Sequence, residues 1–192
     1  MNNIKRLAVY CGSATGNQPY FAESAQATAR AMVSRGIDLV YGGGRLGLMG
    51  LVADSVLELG GKVYGVIPEA LVNLEVAHTG VTELYTVANM HERKAKMTDL
   101  ADAFIAIPGG IGTLDELFEA WSWNALGYHA KPFCLLNVEG FWDGLIEFMD
   151  HATGCGFLSE QRRAQLLVAK RPEDALILLD DAAAAATQGM VW

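Results

Sequence analysis

The chain alternates short apolar runs with longer segments in which apolar residues recur at helical spacing. The apolar runs predict strands at residues 4–11, 37–41, 62–67, 103–107 and 132–137, with shorter extended pieces at 84–87 and 166–169. The periodic segments predict helices at residues 19–34, 48–59, 89–101, 113–126 and 141–153, and a terminal helix that begins at Pro172. Residues 69–83 show little periodicity and are predicted to form a loop.

This alternation of strands and helices predicts parallel βαβ units. We therefore expect an α/β fold with a Rossmann-like, open and mainly parallel sheet that carries helices on both faces. No linker divides the chain, so residues 1–181 are predicted to form a single nucleotide-binding domain. The low-complexity tail at 182–192 is predicted to fray. In folds of this class ligands bind beyond the carboxyl ends of the strands.

Glycine is the outlier in the composition. Hydrophobic residues make up 52% of the 192 residues and charged residues 19%, against about 25% charged in an average protein, which excludes a disordered chain. The chain has 21 glycines, about 11% of its residues, where about 7% is usual. Five of them fall within nine positions, at 42, 43, 44, 47 and 50. Such clustering indicates backbone loops with a specific shape.

The charge balance limits the possible partners. The chain has 14 basic and 22 acidic residues and no basic run, so we expect no nucleic acid partner, although a local cluster could bind one small phosphate. Its three cysteines are widely spaced, which fits neither a disulfide framework nor a metal motif. No stretch approaches the about 20 apolar residues that span a bilayer, so no membrane partner is expected. These features predict a cytoplasmic protein.

The first candidate ligand loop follows the second predicted strand. Residues 42–47 have the sequence GGGRLG, which matches G-x-G-x-x-G between a strand and a helix. This context predicts a phosphate held by backbone N–H groups, with Gly43 and Gly44 among the contacts. The alternative is a tight strand-to-helix turn without a ligand. A dinucleotide site would need an acidic residue at the end of the next strand, but Glu69 lies beyond Pro68 and is a poor match.

A second loop repeats the arrangement at residues 108–113, with the sequence PGGIGT. Thr113 can cap the following helix, and its hydroxyl and the next amides could bind an anion. The alternative is a capping box in which the Glu116 carboxylate turns back onto the backbone. Ser13, in the loop after the first strand, is predicted to donate a hydrogen bond near the ligand.

The helix predicted at 89–101 places cations on its inner side. Its buried stripe is predicted to comprise Met90, Met97 and Leu100. Arg93 and Lys94 fall on the same stripe, and inward cations need a carboxylate, a phosphate or a cleft to replace their lost hydration. A buried ion pair, or a side chain that reaches back to solvent, would also satisfy them. Glu92 and Lys96 are predicted to form an exposed pair on the opposite face.

Together these motifs are similar to the Lonely Guy (LOG) family of cytokinin riboside 5'-monophosphate phosphoribohydrolases, often mislabelled lysine decarboxylases. The resemblance covers about residues 5–180. The matching motifs are CGS at 11–13, YGGG at 41–44, GLMG at 47–50, MHERK at 90–94, and PGGIGT at 108–113 followed by Glu116.

The resemblance implies hydrolysis of the N-glycosidic bond of an adenine-type nucleoside 5'-monophosphate, either AMP or an N6-modified cytokinin nucleotide. The products are the free base and ribose 5-phosphate, with no metal or redox cofactor and with a homodimer as the expected assembly. Arg93 and Glu116 match the catalytic positions of the family. The predicted substrate-binding residues are Ser13, Gly43, Gly44, Glu75, Lys94, Gly109, Gly110, Ile111, Gly112, Thr113, Asp115 and Ser122.

Glycoside cleavage passes through an oxocarbenium-like transition state, which a carboxylate such as Glu116 would stabilise while water attacks. The main alternative is a non-catalytic nucleotide or cofactor carrier of the same fold, which would not need the pair of Arg93 and Glu116. A dinucleotide-dependent oxidoreductase ranks third because of the missing ribose carboxylate. A lysine decarboxylase is rejected, since no motif for a pyridoxal phosphate Schiff base surrounds any of four lysines, Lys62, Lys94, Lys96 and Lys131.

Overall fold

Seven buried runs form strands in the computed structural model, which describes residues 3–73 and 76–188. The strands are β1 (Arg6–Tyr10), β2 (Asp38–Tyr41), β3 (Val63–Pro68), β4 (Glu83–Val87), β5 (Ala103–Ala106), β6 (Phe133–Leu136) and β7 (Leu166–Ala169). The helices are α1 (Pro19–Ser34), α2 (Gly47–Glu58), α3 (Met90–Leu100), α4 (Ile111–Ala125), α5 (Asp143–Gly154), α6 (Glu160–Gln165) and α7 (Pro172–Gln188). Single 3₁₀ turns lie at Glu69–Leu71 and Val138–Gly140. None of the helices within these described ranges is long and apolar enough to cross a membrane.

The seven strands form one sheet in the order β4-β3-β2-β1-β5-β6-β7, and every pairing between them is parallel. Alternate residues of β1 enter two separate cores. Leu7 and Val9 pack with side chains of α1, α2 and α7, whereas Ala8 and Tyr10 pack with side chains of α3, α4 and α5. The helices therefore cover both faces of the sheet, and the predicted Rossmann-like single-domain fold is confirmed.

The main differences from the sequence prediction concern the helices α4, α6 and α7. Helix α4 begins at Ile111 instead of Thr113, because Gly110 occupies the cap position. The short helix α6 was not predicted, although Ser159 marks its start by accepting a hydrogen bond from the Arg162 N–H. Helix α7 continues through 182–188, and the rest of the tail lies outside the described residues, so its fraying stays a prediction.

The strand order places the ligand edge of the sheet. The chain runs outward from β1 to β4 on one side and then returns to β5 on the other side of β1. At such a switch point the loops after the two central strands separate and leave a crevice. Here they remain connected at their base, because the Gly12 N–H donates to the Pro108 carbonyl at 3.1 Å. The loops after β1 and β5 thus form the walls of one crevice.

The close packing of α2 gives a test of the fold. A Cβ at Gly50 would overlap the backbone carbonyl of Arg45, whereas a Cβ at Gly144, in helix α5, would meet open space. We expect Gly50→Ala to lower the free energy of unfolding by about 1–3 kcal/mol, since the backbone must shift. Gly144→Ala should raise the free energy of unfolding by about 0.5 kcal/mol, because alanine reduces the conformational entropy of the unfolded chain. Urea unfolding measures both, and equal shifts in the two variants would contradict the packing described for Gly50.

Candidate active site

A cavity of about 240 Å³ opens at the carboxyl edge of the sheet, between the loop after β1 and the start of α4 after β5. Arg93 of α3 and Glu116 of α4 both line it, as does Ser13 after β1. The remaining lining residues are Cys11, Gly12, Met49, Leu71, Met90, Gly110, Ile111, Gly112 and Thr113. The cavity therefore brings together both residues predicted to be catalytic and most of the second glycine loop. Within the described residues no group of three or more His, Cys, Asp or Glu side chains is arranged to hold a metal ion.

One wall of the cavity is the N-terminus of α4. The hydrogen bond from the Leu114 N–H to the Gly110 carbonyl, at 3.1 Å, is the cap bond of this helix. The preceding N–H groups of Ile111, Gly112 and Thr113 have no acceptor within the helix, as is general for a first turn. They lie at the positive end of the helix dipole, so this wall is suited to an anion.

The position of Thr113 in α4 rules out the capping-box alternative. Thr113 is the third residue of α4, with only 2% of its surface exposed, and Glu116 lies on the second helical turn, so the pair cannot form that box. In the described part of the chain, the Thr113 Oγ1 is buried without a hydrogen-bond partner. A buried hydroxyl without a partner costs free energy that a ligand could recover. Gly109 is required beside it, because a Cβ there would overlap this oxygen.

The first glycine loop does not form the predicted phosphate cradle. The N–H groups of Leu48 and Met49, at the start of α2, donate to the Gly12 carbonyl at 3.0 and 3.3 Å, so they are not available to a phosphate. Gly43 and Gly44 lie outside the cavity wall. Gly43 has φ +78° and packs on β3, and Gly44 forms an antiparallel bridge with Ala77. The close packing of backbone segments explains these glycines.

Arg93 is buried, with 4% exposure, which confirms that it faces inward. Its Nε donates to the Val66 carbonyl at 3.2 Å and its Nη2 donates to the Gly42 carbonyl at 2.7 Å. These carbonyls come from β3 and from the residue that follows β2. A Cβ at Gly42 would overlap the guanidinium, so this glycine leaves space for the arginine. The sequence interpretation assigned Gly42 to a phosphate loop and missed this role.

The charge of Glu116 affects Tyr10, the last residue of β1, and Cys11, which directly follows it. Burial raises the pKa of the Cys11 thiol well above its usual range, and the Glu116 carboxylate raises it further against the opposing charge of Arg93. Burial also raises the pKa of Tyr10, with Glu116 as the next cause. Cys11 therefore remains a neutral thiol in the cavity wall at neutral pH and does not provide a thiolate nucleophile.

Lys94 and Asp115, both predicted to bind substrate, contact each other instead. The Lys94 Nζ lies 3.0 Å from Asp115 Oδ2 and 3.1 Å from Glu119 Oε1. Burial alone would lower the pKa of Lys94, but hydrogen bonds to the two carboxylates outweigh it and raise the pKa. None of the three residues lines the cavity. The ion-pair alternative for Lys94 is thus the one that the structure contains.

Other features of α3 also differ from the prediction. Met97 is buried as expected, but Met90 is 39% exposed and lines the cavity instead of the core. The predicted pair of Glu92 and Lys96 is not formed. The Glu92 carboxylate accepts from the Ala88 N–H at 3.1 Å, and the Lys96 ammonium lies 4.5 Å from the centre of the Tyr85 ring. The Asn89 side chain caps the helix and accepts from the Glu92 N–H. Glu92 thus completes the start of the helix.

Two residues predicted to bind substrate are not among those described in the cavity wall, and two residues of that wall were not predicted. Ser122 is exposed in a separate groove beside α5 and α6, away from the cavity. Glu75 lies outside the described residues. Sequence reasoning missed Met49 and Leu71 as parts of the cavity wall. Met49 belongs to the GLMG motif and could have been found there, whereas Leu71 lies in a stretch without periodicity that carries no such signal.

Solved structures share this fold. The molybdenum cofactor carrier protein of Chlamydomonas reinhardtii superposes with a TM-score of 0.69 at 18% sequence identity, and covers 93% of this chain and 98% of the carrier. The molybdenum cofactor binding protein of Rippkaea orientalis gives a TM-score of 0.69 at 20% identity, over 92% of this chain and 95% of that protein. At these identities the similarity concerns the fold alone.

The sequence comparisons identify the family in addition to the fold. A family model described as "Possible lysine decarboxylase" matches residues 49–179. Rice cytokinin riboside 5'-monophosphate phosphoribohydrolase LOG is 45% identical over 191 residues, which cover 100% of this chain and 79% of the rice protein. Arabidopsis thaliana LOG2, of the same name, is 44% identical over 180 residues, or 94% of this chain and 84% of that protein. The chain therefore belongs to the LOG family of phosphoribohydrolases.

Proposed function

We propose that this protein hydrolyses the N-glycosidic bond of adenine-type nucleoside 5'-monophosphates, releasing the free base and ribose 5-phosphate. The observation that carries the proposal is the presence of Arg93 and Glu116 in the same cavity as an open helix N-terminus. Relatives at 44–45% identity support it, since these are cytokinin riboside 5'-monophosphate phosphoribohydrolases.

The α4 N-terminus is the proposed binding site of the 5'-phosphate. The first-turn N–H groups of α4 offer hydrogen-bond donors at the positive end of the helix dipole, and Ile111, Gly112 and Thr113, which carry them, line the cavity. The phosphate does not react, so the free energy of its binding can be used to hold the ribose in position for cleavage. Ser13, on the loop after β1, lines the same cavity.

Glu116 and Arg93 supply the charges for the reaction. As the glycosidic bond breaks, positive charge develops on the ribose, and the Glu116 carboxylate in the cavity wall would stabilise it or activate the attacking water. Arg93 is fixed by two backbone carbonyls, so its guanidinium is preorganised and needs no rearrangement to orient the substrate and stabilise charge that develops in the transition state.

Part of the cavity wall is apolar. Met49, Leu71 and Met90 line it, and two of them are unbranched thioethers that adapt to irregular shapes. This wall suits a purine that carries an apolar N6 substituent better than it suits adenine alone. It supports an N6-modified cytokinin nucleotide as a better substrate than AMP.

Two other functions fit the site less well. A cofactor carrier would share the fold, but a site that only binds its ligand has no need for a carboxylate beside a buried arginine. A pyridoxal phosphate enzyme needs a lysine for the Schiff base, and none of the described residues that line the cavity is a lysine.

A product assay tests the reaction. We expect the purified protein to release the free base from the 5'-monophosphate of N6-isopentenyladenosine with a higher kcat/KM than from AMP, because the apolar wall accommodates the substituent. Chromatography quantifies the base and ribose 5-phosphate. The corresponding nucleosides, which lack the phosphate, are the control and should react much more slowly. Intact nucleotides after prolonged incubation would refute the hydrolase proposal.

The role of Glu116 has its own test. Glu116→Gln should lower kcat by about 100-fold or more, because the stabilising charge is lost. Its affinity for ribose 5-phosphate, measured by calorimetry, should stay within a few-fold of the original. Glu58→Gln, at the exposed end of α2, is the matched control and should leave turnover unchanged. A fully active Glu116→Gln protein would exclude the proposed role.

The family resemblance also leads us to propose a homodimer. The groove that contains Ser122 measures about 220 Å³ and is lined mainly by apolar side chains, and Phe157 beside it is 91% exposed. A second copy of the chain would cover this surface. Light scattering should therefore give twice the chain mass of 20.6 kDa. Phe157→Ser should weaken the dimer, unlike Leu59→Ser at the end of α2. A monomer at all concentrations would contradict the proposal.

A further inference from the structure

We propose that Lys94 is a positioning residue that fixes α3 against α4 and thereby sets the separation of Arg93 and Glu116. The inference rests on the proposed function, since it concerns how the catalytic pair is held. It gives Lys94 a different role from the nucleotide contact that the family resemblance implies.

Lys94 is connected to the catalytic pair through the order of residues along the two helices. Lys94 directly follows Arg93 on α3, and Asp115 directly precedes Glu116 on α4. The ion pair between Lys94 and Asp115, at 3.0 Å, therefore joins the two helices one residue away from each member of the catalytic pair. Glu119 lies one helical turn further along α4 and contacts the same ammonium at 3.1 Å. Two contacts on one helix restrict both sliding and rotation of α4 relative to α3.

Burial and charge favour this role over phosphate binding. The Lys94 side chain is 15% exposed and faces α4 beside the cavity, not within its wall. Two carboxylates and one ammonium leave the cluster formally negative, so it would repel a phosphate dianion. To bind phosphate, Lys94 would have to leave both carboxylates, which would then face each other without a counterion.

The contact sets geometry more than it adds stability. Asp115 is half exposed, and ion pairs of that kind contribute little to the free energy of unfolding. Catalytic groups, however, depend on position, and a misplacement of about 1 Å can cost about 100-fold in rate. The expected signature of Lys94 is therefore a loss of kcat in a protein that remains folded and still binds nucleotide.

The test compares two lysines of one helix. Lys94→Met removes the charge but keeps the chain length, and Lys96→Met does the same on the side of α3 that faces Tyr85. We expect Lys94→Met to lower kcat about tenfold or more, with KM for the nucleotide within about threefold of the original. Lys96→Met should match the original protein. Lys94→Arg, which can reach both carboxylates, should restore most of the lost kcat.

Two results would overturn the inference. A Lys94→Met protein with raised KM and unchanged kcat, and with reduced discrimination between nucleotide and nucleoside, would make Lys94 a phosphate ligand. Unchanged kcat and KM would show that the contact has no role. Circular dichroism and Tm verify that each variant is folded.

A double-mutant cycle is independent of turnover. Lys94→Met and Asp115→Asn, alone and combined, should show a small coupling in urea unfolding, as expected for a half-exposed ion pair, because each removes the same contact. Additive effects would refute the inter-helix contact even if the original protein proved inactive. An inactive original protein with coupled variants would instead refute the proposed function and leave the contact between the helices established.

Discussion

The burial of the Arg93 guanidinium is the constraint on which the site depends. A buried cation is stable only if its hydration is replaced, and here the carbonyls of Val66, within β3, and of Gly42, directly after β2, accept its hydrogen bonds. Residue 42 must then be glycine, because a Cβ would occupy the space of the guanidinium. The orientation of α3, the register of β2 with β3 and the glycine after β2 are thus linked through one side chain.

A second constraint makes the N-termini of α2 and α4 differ in whether their first-turn N–H groups are already hydrogen-bonded within the protein. Both α2 and α4 begin after glycine-rich loops, and their sequences resemble each other in this respect. The Gly12 carbonyl occupies the first-turn N–H groups of α2, while the corresponding groups of α4 face the cavity beside a buried hydroxyl. At this edge the first-turn N–H groups of α4 thus line the cavity, whereas those of α2 are used within the protein.

The sequence predicts most of the fold because the signals of fold class are local. Alternating apolar runs and helical periodicity identify the seven strands and most of the helices, and the inward side of α3 follows from the spacing of Met97 and Arg93. Contacts between distant segments were predicted less well. The space that Gly42 leaves for Arg93, the pairing of Lys94 with Asp115 and the placement of Leu71 depend on tertiary packing that spacing within one segment does not encode.

The fold of this protein does not by itself determine its activity. Cofactor carriers share this architecture, so the parallel sheet and its crevice do not by themselves imply hydrolysis. The distinguishing feature is a carboxylate that raises the pKa of Tyr10 and Cys11 and lines the same cavity as an arginine that cannot move without losing its carbonyl partners. Binding alone gains nothing from such a pair, because a carboxylate in the wall repels an anionic ligand. Its cost is offset only where positive charge develops during the reaction, as it does on a ribose that loses its base.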